Sequence, residues 1–320
     1  MLSRVADSLY WFSRYLERAE HTARMLDVNL DLMLDHSPVM AAARWGRLFA
    51  SLKTPPPTGG IIDPYVITRW LTFEGANPAS ILSCIRFARE NARQIRDLIS
   101  AEMWEQINRL YIHLQRTSLD AIWNSQPHEF FQFVTDGSQL FWALTDCTMC
   151  HNEGWDFLRL GRFLERASQG AARLDAHTGS LLEPRLPLIA PEADVEWVGL
   201  LRCAVALEPY CKEYSAEPKA EHIVEFLLLN PVFPHSVRFA VDRLESASQH
   251  LSETHTSRRG GGRVERLTGK LQALLSYGTV EEIIAGGLRQ YLDEIQRHCV
   301  SIHTAIQQQY ITYPIESALA

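Results

Sequence analysis

Two short runs hold the side chains best placed to do chemistry. Arg14, Glu17 and Arg18 stand in Arg14-Tyr15-Leu16-Glu17-Arg18-Ala19. At an offset of 148 residues, Arg162, Glu165 and Arg166 stand in Arg162-Phe163-Leu164-Glu165-Arg166-Ala167. Carboxylates and guanidinium groups in this pattern admit two uses. One is a set of ion pairs that fixes the register of two packed elements, weak as a net stabiliser but costly to break, because one charge is then stranded. The other is a polar pocket for a phosphate or a carboxylate, both of which arginine grips with two parallel hydrogen bonds. Paired carboxylates also suit acid–base work or metal binding. A ferritin-type metal site, however, takes Glu-x-x-His from facing helices, and neither run contains that spacing. No metal and no cofactor is assigned.

Both runs need a helix to aim them. Val5, Leu9, Phe12, Leu16, Ala19, Ala23, Leu26, Leu30 and Met33 alternate spacings of four and three, which predicts one long helix over 2–33 with a buried seam. Adjacent helical residues diverge by about 100°, so Glu17 and Arg18 cannot be each other's main partner. Arg14 lies at i−3 and His21 at i+4 from Glu17; in the second run Gln169 takes the place of His21. The ion-pair reading therefore joins Glu17 to Arg166 and Glu165 to Arg18 across two equivalent helices.

The remaining chain reads as more of the same. Helices are expected over 39–53, 63–73, 78–99, 101–123 and 128–148, opened by proline start signals at Asp63-Pro64 and Asn77-Pro78. After the second Arg-Glu-Arg run the order recurs. Trp197-Val198-Gly199 echoes Trp45-Gly46-Arg47, the segment 218–229 echoes the helix from Pro64, and Asn230-Pro231 ahead of Arg238-Phe239-Ala240 echoes Asn77-Pro78 ahead of Arg86-Phe87-Ala88. Helices from 263 and over 280–311 fill the last places. No alternating run marks a strand. The expected architecture is all-α: a pseudo-twofold duplicated helical bundle of about twelve helices, with repeats at 1–152 and 153–320 packed together.

Composition narrows the function. A chain of 320 residues with 46% hydrophobic and 22% charged residues is ordinary for a soluble globular protein. A net charge of −7 argues against a broad nucleic-acid surface, and no apolar run approaches the ~20 residues of a membrane span. These features lead us to expect a soluble protein of a reducing cytoplasm, its six cysteines free thiols. Cys147-Thr148-Met149-Cys150-His151 matches a haem-attachment pattern, but its place at the end of an aromatic helix points to buried, inert thiols. Arg258-Arg259-Gly260-Gly261-Gly262-Arg263 is a basic loop without the strand or the Gly-Lys-Ser/Thr ending of a phosphate loop. Arg86, Glu90, Asn91, Arg93 and Arg238 form a second set of polar candidates, for which a solvated helix face is the plain explanation.

The duplicated Leu-Glu-Arg-Ala helices, Asn77-Pro78-Ala79-Ser80-Ile81 leading to Ala88-Arg89-Glu90-Asn91-Ala92-Arg93, and Leu144-Thr145-Asp146 leading to Glu153-Gly154-Trp155 together resemble the bacterial alpha-E family. The resemblance covers the whole chain. It implies an all-helical protein in which Glu17-Arg18 and Glu165-Arg166 are the named Glu-Arg pairs, with Cys147 and Cys150 departing from small hydroxyl residues. It also implies partners: a circularly permuted ATP-grasp ligase and a transglutaminase-like cysteine peptidase, hence a setting of peptide or amide-bond synthesis. Three expectations follow for the chain itself. It is a non-catalytic accessory of such a ligase, or an enzyme that uses the Glu/Arg cluster to bind and transform a carboxylate, acyl-phosphate or peptide, or a structural homo-oligomer (a homodimer) in which the motif only staples the two halves of each chain together.

Overall fold

The computed structural model describes residues 1–33, 38–57, 63–124, 126–181, 190–214, 217–254 and 262–312, and every regular element among them is helical. In chain order these are α1 (Ser3–Asp31), α2 (Pro38–Leu52), α3 (Pro64–Thr72), α4 (Ile81–Gln94), α5 (Ala101–Arg116), α6 (Leu119–Trp123) and α7 (Pro127–Thr148). There follow α8 (Glu153–Leu181), α9 (Ala190–Cys203), α10 (Leu207–Glu213), α11 (Ala220–Leu229), α12 (Val237–Thr254), α13 (Arg263–Tyr277) and α14 (Val280–Ile306), which ends in a π turn, Gln307–Ile311. The protein is all-α.

The described residues form fourteen helices rather than about twelve, and local capping explains the difference. The stretch expected as one helix over 101–123 divides at Ser118, whose hydroxyl accepts from the Ala121 N–H at 3.2 Å and starts α6. A short helix, α10, forms with Pro209 in its first turn and has no periodic signal long enough to announce it. The helix expected from Pro78 begins at Ile81 instead. Ser80 caps it, while the Asn77 side chain holds the turn before it by accepting from Ala79 N–H and donating to the Trp70 carbonyl, each at 3.0 Å. This helix stops at Gln94, so Leu98 is 48% exposed and not on the buried face. Gly287, at φ +102°, kinks α14, a backbone conformation open to glycine. The glycine-rich run from Arg258 to Gly261 and the linker from 182 to 189 lie outside the described residues.

The motif helices α1 and α8 form the central pair. α4 and α7 pack against α1, α12 and α14 pack against α8, α2 reaches across to α8, and α9 touches α1. Along the seam Leu9, Phe12, Leu16, Ala19, Ala23 and Leu26 are completely buried, and Leu160, Leu164, Ala167, Ala171 and Leu174 of α8 are buried to within 1%. Closest approach is at Gly161, where a Cβ would stand 2.3 Å from the Tyr10 carbonyl oxygen and 2.0 Å from Ser13 Oγ. Backbone cannot rotate away as a side chain can. Gly161→Ala is therefore expected to lower the unfolding free energy by about 3 kcal/mol, read as a drop in thermal midpoint. Gly170→Ala on the same helix meets only a Val237 methyl at 3.1 Å and serves as the mild control. Equal effects from the two would show that the helices have room to part at Gly161.

Candidate functional site

Helical phase places the motif side chains between α1 and α8, and both carboxylates are taken up by arginines of the opposite helix. Glu17 receives Arg166 Nε at 2.5 Å and Nη2 at 3.0 Å on its two oxygens, with Arg162 Nε 3.6 Å from Oε2. Glu165 receives Arg14 Nε and Arg18 Nε, each at 2.7 Å, and Gln169 Nε2 at 3.1 Å. Glu17 and Glu165 are each only 4% exposed. Burial raises the Glu165 pKa, but Arg14 and then Arg18 outweigh it and hold the carboxyl at about 2. Arg14 also donates to Tyr10 Oη and His303 Nδ1, both at 3.1 Å, and Tyr10 Oη stands 2.7 Å from the same ring nitrogen. Arg162 lies over the Trp142 ring at 4.2 Å, and its Nε has no hydrogen-bond partner. The arrangement is a staple in geometry: each motif carboxylate is held by two arginines of the opposite helix.

Beyond the staple, the same two helices carry a second layer of buried polar groups. Arg24 donates to Glu20 Oε1 at 2.5 Å. Arg173 Nη1 donates to His21 Nδ1 at 3.4 Å, which leaves the proton of the neutral ring on Nε2. Among the described residues neither His21 Nε2 nor Arg173 Nε has a partner, and Glu20 Oε2 also lacks one. Arg173 is 3% exposed and makes no ion pair among the described residues. Burial, together with repulsion from Arg24 and Arg166, brings its pKa down to about 10, so it stays charged at neutral pH. His21 and His235 are pushed far below the ordinary histidine value, first by burial and then by the surrounding arginines. Glu17, Glu20, His21, Arg24, Arg166 and Arg173 help line a cavity of about 10 Å³, room for roughly one water.

A further buried ion pair joins the two halves of the chain. Glu196 on α9 accepts from Arg44 Nε at 2.7 Å and from Arg47 Nη2 on α2. The tryptophan echo contained the signal for it: Arg44 precedes Trp45 as Glu196 precedes Trp197, opposite charges at matching positions. The secondary candidates lie away from this centre. Arg93 and Glu90 make an exposed i,i+3 pair on α4, Asn91 donates to the Phe87 carbonyl at 2.8 Å, Arg86 lies over the Phe87 ring at 5.0 Å, and Arg238 reaches the Leu229 carbonyl at 3.4 Å. Cys147 and Cys150 are exposed, contrary to the expectation of buried thiols. The end of α7 turns both toward solvent, and the apolar packing there is supplied by Met149. His151 stacks on Trp155 with ring centres 3.9 Å apart. Among the described residues no cluster of three metal-ligating side chains occurs, and no helix is long and apolar enough to cross a membrane.

Comparison with known proteins agrees with the helices and the motif. The chain is 24% identical over 333 aligned positions to uncharacterized proteins of Mycobacterium bovis and Mycobacterium tuberculosis. That alignment takes in 95% of this chain and 36% of each relative, so the chain spans about a third of their length. No solved structure matches. The sequence model of one family, described as a predicted alpha-helical domain with a conserved ER motif, matches residues 1–311; with Glu17-Arg18 and Glu165-Arg166 at the centre of its fold, the chain belongs to the Alpha-E family.

Proposed function

We propose that the protein is a non-catalytic helical module of an ATP-grasp-type peptide or amide ligase system, with the Glu-Arg pairs as its internal frame. The observation that carries this reading is the full engagement of Glu17 and Glu165 by guanidinium groups. A general base must be within reach of substrate and free to take a proton, and a carboxyl held at about 2 by two arginines is neither. Accessory work needs no such group. The longer mycobacterial relatives support the reading from another side, since in them the matched segment is joined to further chain. The partners are a circularly permuted ATP-grasp ligase and a transglutaminase-like peptidase, as the family resemblance implies. On the same reading residues 1–152 and 153–320 are two copies of one module, which the reciprocal Glu17–Arg166 and Arg18–Glu165 pairs and the Arg44–Glu196 pair support.

The test is reconstitution. A circularly permuted ATP-grasp ligase from the same source is assayed for ATP turnover with and without the purified protein, and the two are passed together over a sizing column. Co-elution with a several-fold change in turnover is expected. Separate elution and unchanged turnover would remove the accessory role.

A further inference from the structure

Over their full lengths α1 and α8 carry eight arginines and nine carboxylates, but midway along the pair the charges do not balance. Between residues 14 and 24 of α1 and between 162 and 173 of α8 stand six arginines, at 14, 18, 24, 162, 166 and 173, and three glutamates, at 17, 20 and 165. His21 among them, and His235 beside them, are neutral. Three positive charges are thus left over in a largely buried region. In the staple four arginines share two carboxylates and Glu20 is matched by Arg24, whereas Arg173 has no carboxylate partner among the described residues. Water in the adjacent cavity can complete hydrogen bonds but cannot offset charge, and an uncompensated buried charge is costly. Two donors bordering that cavity, Arg173 Nε–H and His21 Nε2–H, have no acceptor among the described residues, against one unmatched acceptor, Glu20 Oε2.

We propose that this chamber between α1 and α8 is a binding site for a small anion, held by Arg173 and Arg24 with His21 and His235 around it. Its free volume admits a halide, or one oxygen of a carboxylate or phosphate group whose remainder lies toward the opening. Access is on the Arg24 side. Arg24 lines both the chamber and an open cleft of about 530 Å³ that also includes Asp27, His128, Arg202 and Val205. Val205 holds a left-handed φ of +54° at that cleft, a strained conformation for a β-branched residue and one that recurs where ligands bind. The site lies beside the Glu-Arg staple, and it stands whether or not the chain docks a ligase.

Thermal unfolding of the full chain, at fixed pH and ionic strength, tests the proposal. Sodium gluconate, too large for the chamber, is replaced stepwise by sodium chloride, sodium phosphate or sodium acetate in separate series. At least one series is expected to raise the midpoint by about 4 °C along a saturating curve, and the series that does so identifies a halide or an oxyanion. Arg173→Met is expected to lose that rise and to be no less stable than the natural protein in gluconate, since it removes the uncompensated charge. Equal, non-saturating responses in both proteins would reflect general screening and overturn the site. Should Arg173→Met not fold, crystals of the natural protein grown in bromide decide: an anomalous peak within hydrogen-bonding distance of Arg173 supports the site, and an empty chamber at saturating bromide overturns it.

Discussion

Replacing Glu165 by Gln is expected to lower the unfolding free energy by about 4 kcal/mol, because removing one partner of a buried pair strands the other charge. Here one carboxylate serves two arginines. Arg14 and Arg18 both direct Nε at Glu165 at 2.7 Å, and their side chains are only 13% and 27% exposed. Glutamine keeps the shape and the Gln169 contact but removes the negative charge, so the two cations repel each other with nothing between them. Glu17→Gln does the same to Arg166 and Arg162. The double substitution is expected to bring the protein close to unfolding at room temperature, given total stabilities of about 5–15 kcal/mol. Urea unfolding at pH 7.5 measures each. Arg93→Gln supplies the contrast: its pair with Glu90 is exposed, and its loss should leave the urea midpoint essentially unchanged. A double mutant that stays as stable as the natural protein but loses binding to a ligand would overturn the staple and restore the motif as a ligand site.

The sign of each substitution follows from where the excess charge lies. Removing a glutamate enlarges the positive surplus; removing Arg173 reduces it. Glu165→Gln and Arg173→Met therefore shift stability in opposite directions in the absence of a bound anion, although both delete one charge from the same helix. A purely geometric account of the centre, in which every polar residue stabilises by its contacts, would have both variants lose stability. The comparison separates a register device from a charged receptacle within one pair of helices.

How far the sequence discloses this can be traced residue by residue. The 3–4 spacing from Leu9 to Leu26 is a strong periodic signal, and those positions are buried. The cross-helix pairing was legible because the Glu-Arg dipeptide recurs at the same helical phase, and adjacent residues cannot pair with each other. Glu20, Arg24 and Arg173 were not read as buried, because a charged residue within about two turns of a motif has the same local pattern on a solvated face as in a polar interior. Only the packing of α1 on α8 distinguishes the two. His303 is further removed still: it reaches Tyr10 from 293 positions away, and no local spacing encodes a contact closed by the path of α14. The break at Ser118 and the late start of α4 escaped for a smaller reason, since a hydroxyl cap beside an apolar run can sit inside a helix or begin one.

Acidification to pH 5 is expected to destabilise the protein by about 2 kcal/mol for each enclosed neutral histidine, and by less for the half-buried His303, from the width of the gap between pH 5 and the unfolded pKa of about 6.5. His177 is brought down to about 3, first by burial and then by Arg47, and His303 to about 4, first by burial and then by Arg14. His21 and His235 lie well below the ordinary value for the same two causes, with Arg24, Arg166 and Arg173 as the repelling charges. Each folded pKa is depressed, so the unfolded chain binds more protons as pH falls. The stabilisation is complete above about 6.5 and is lost progressively as the pH drops toward the folded values. Glu165 adds nothing in this range, because its own loss falls between 4.5 and about 2. The protein should thus weaken steeply between pH 6.5 and 5, where paired carboxylates alone would leave it unchanged. Unfolding in urea at pH 7.5, 6.0 and 5.0 measures the slope, and His177→Gln should flatten it by close to one proton. Gln is apt there because His177 Nδ1 donates to the Arg173 carbonyl at 2.9 Å, a contact an amide can repeat. A change of less than about 1 kcal/mol across the range would mean that protons and water reach these rings freely, and that the polar centre of α1 and α8 is open rather than enclosed.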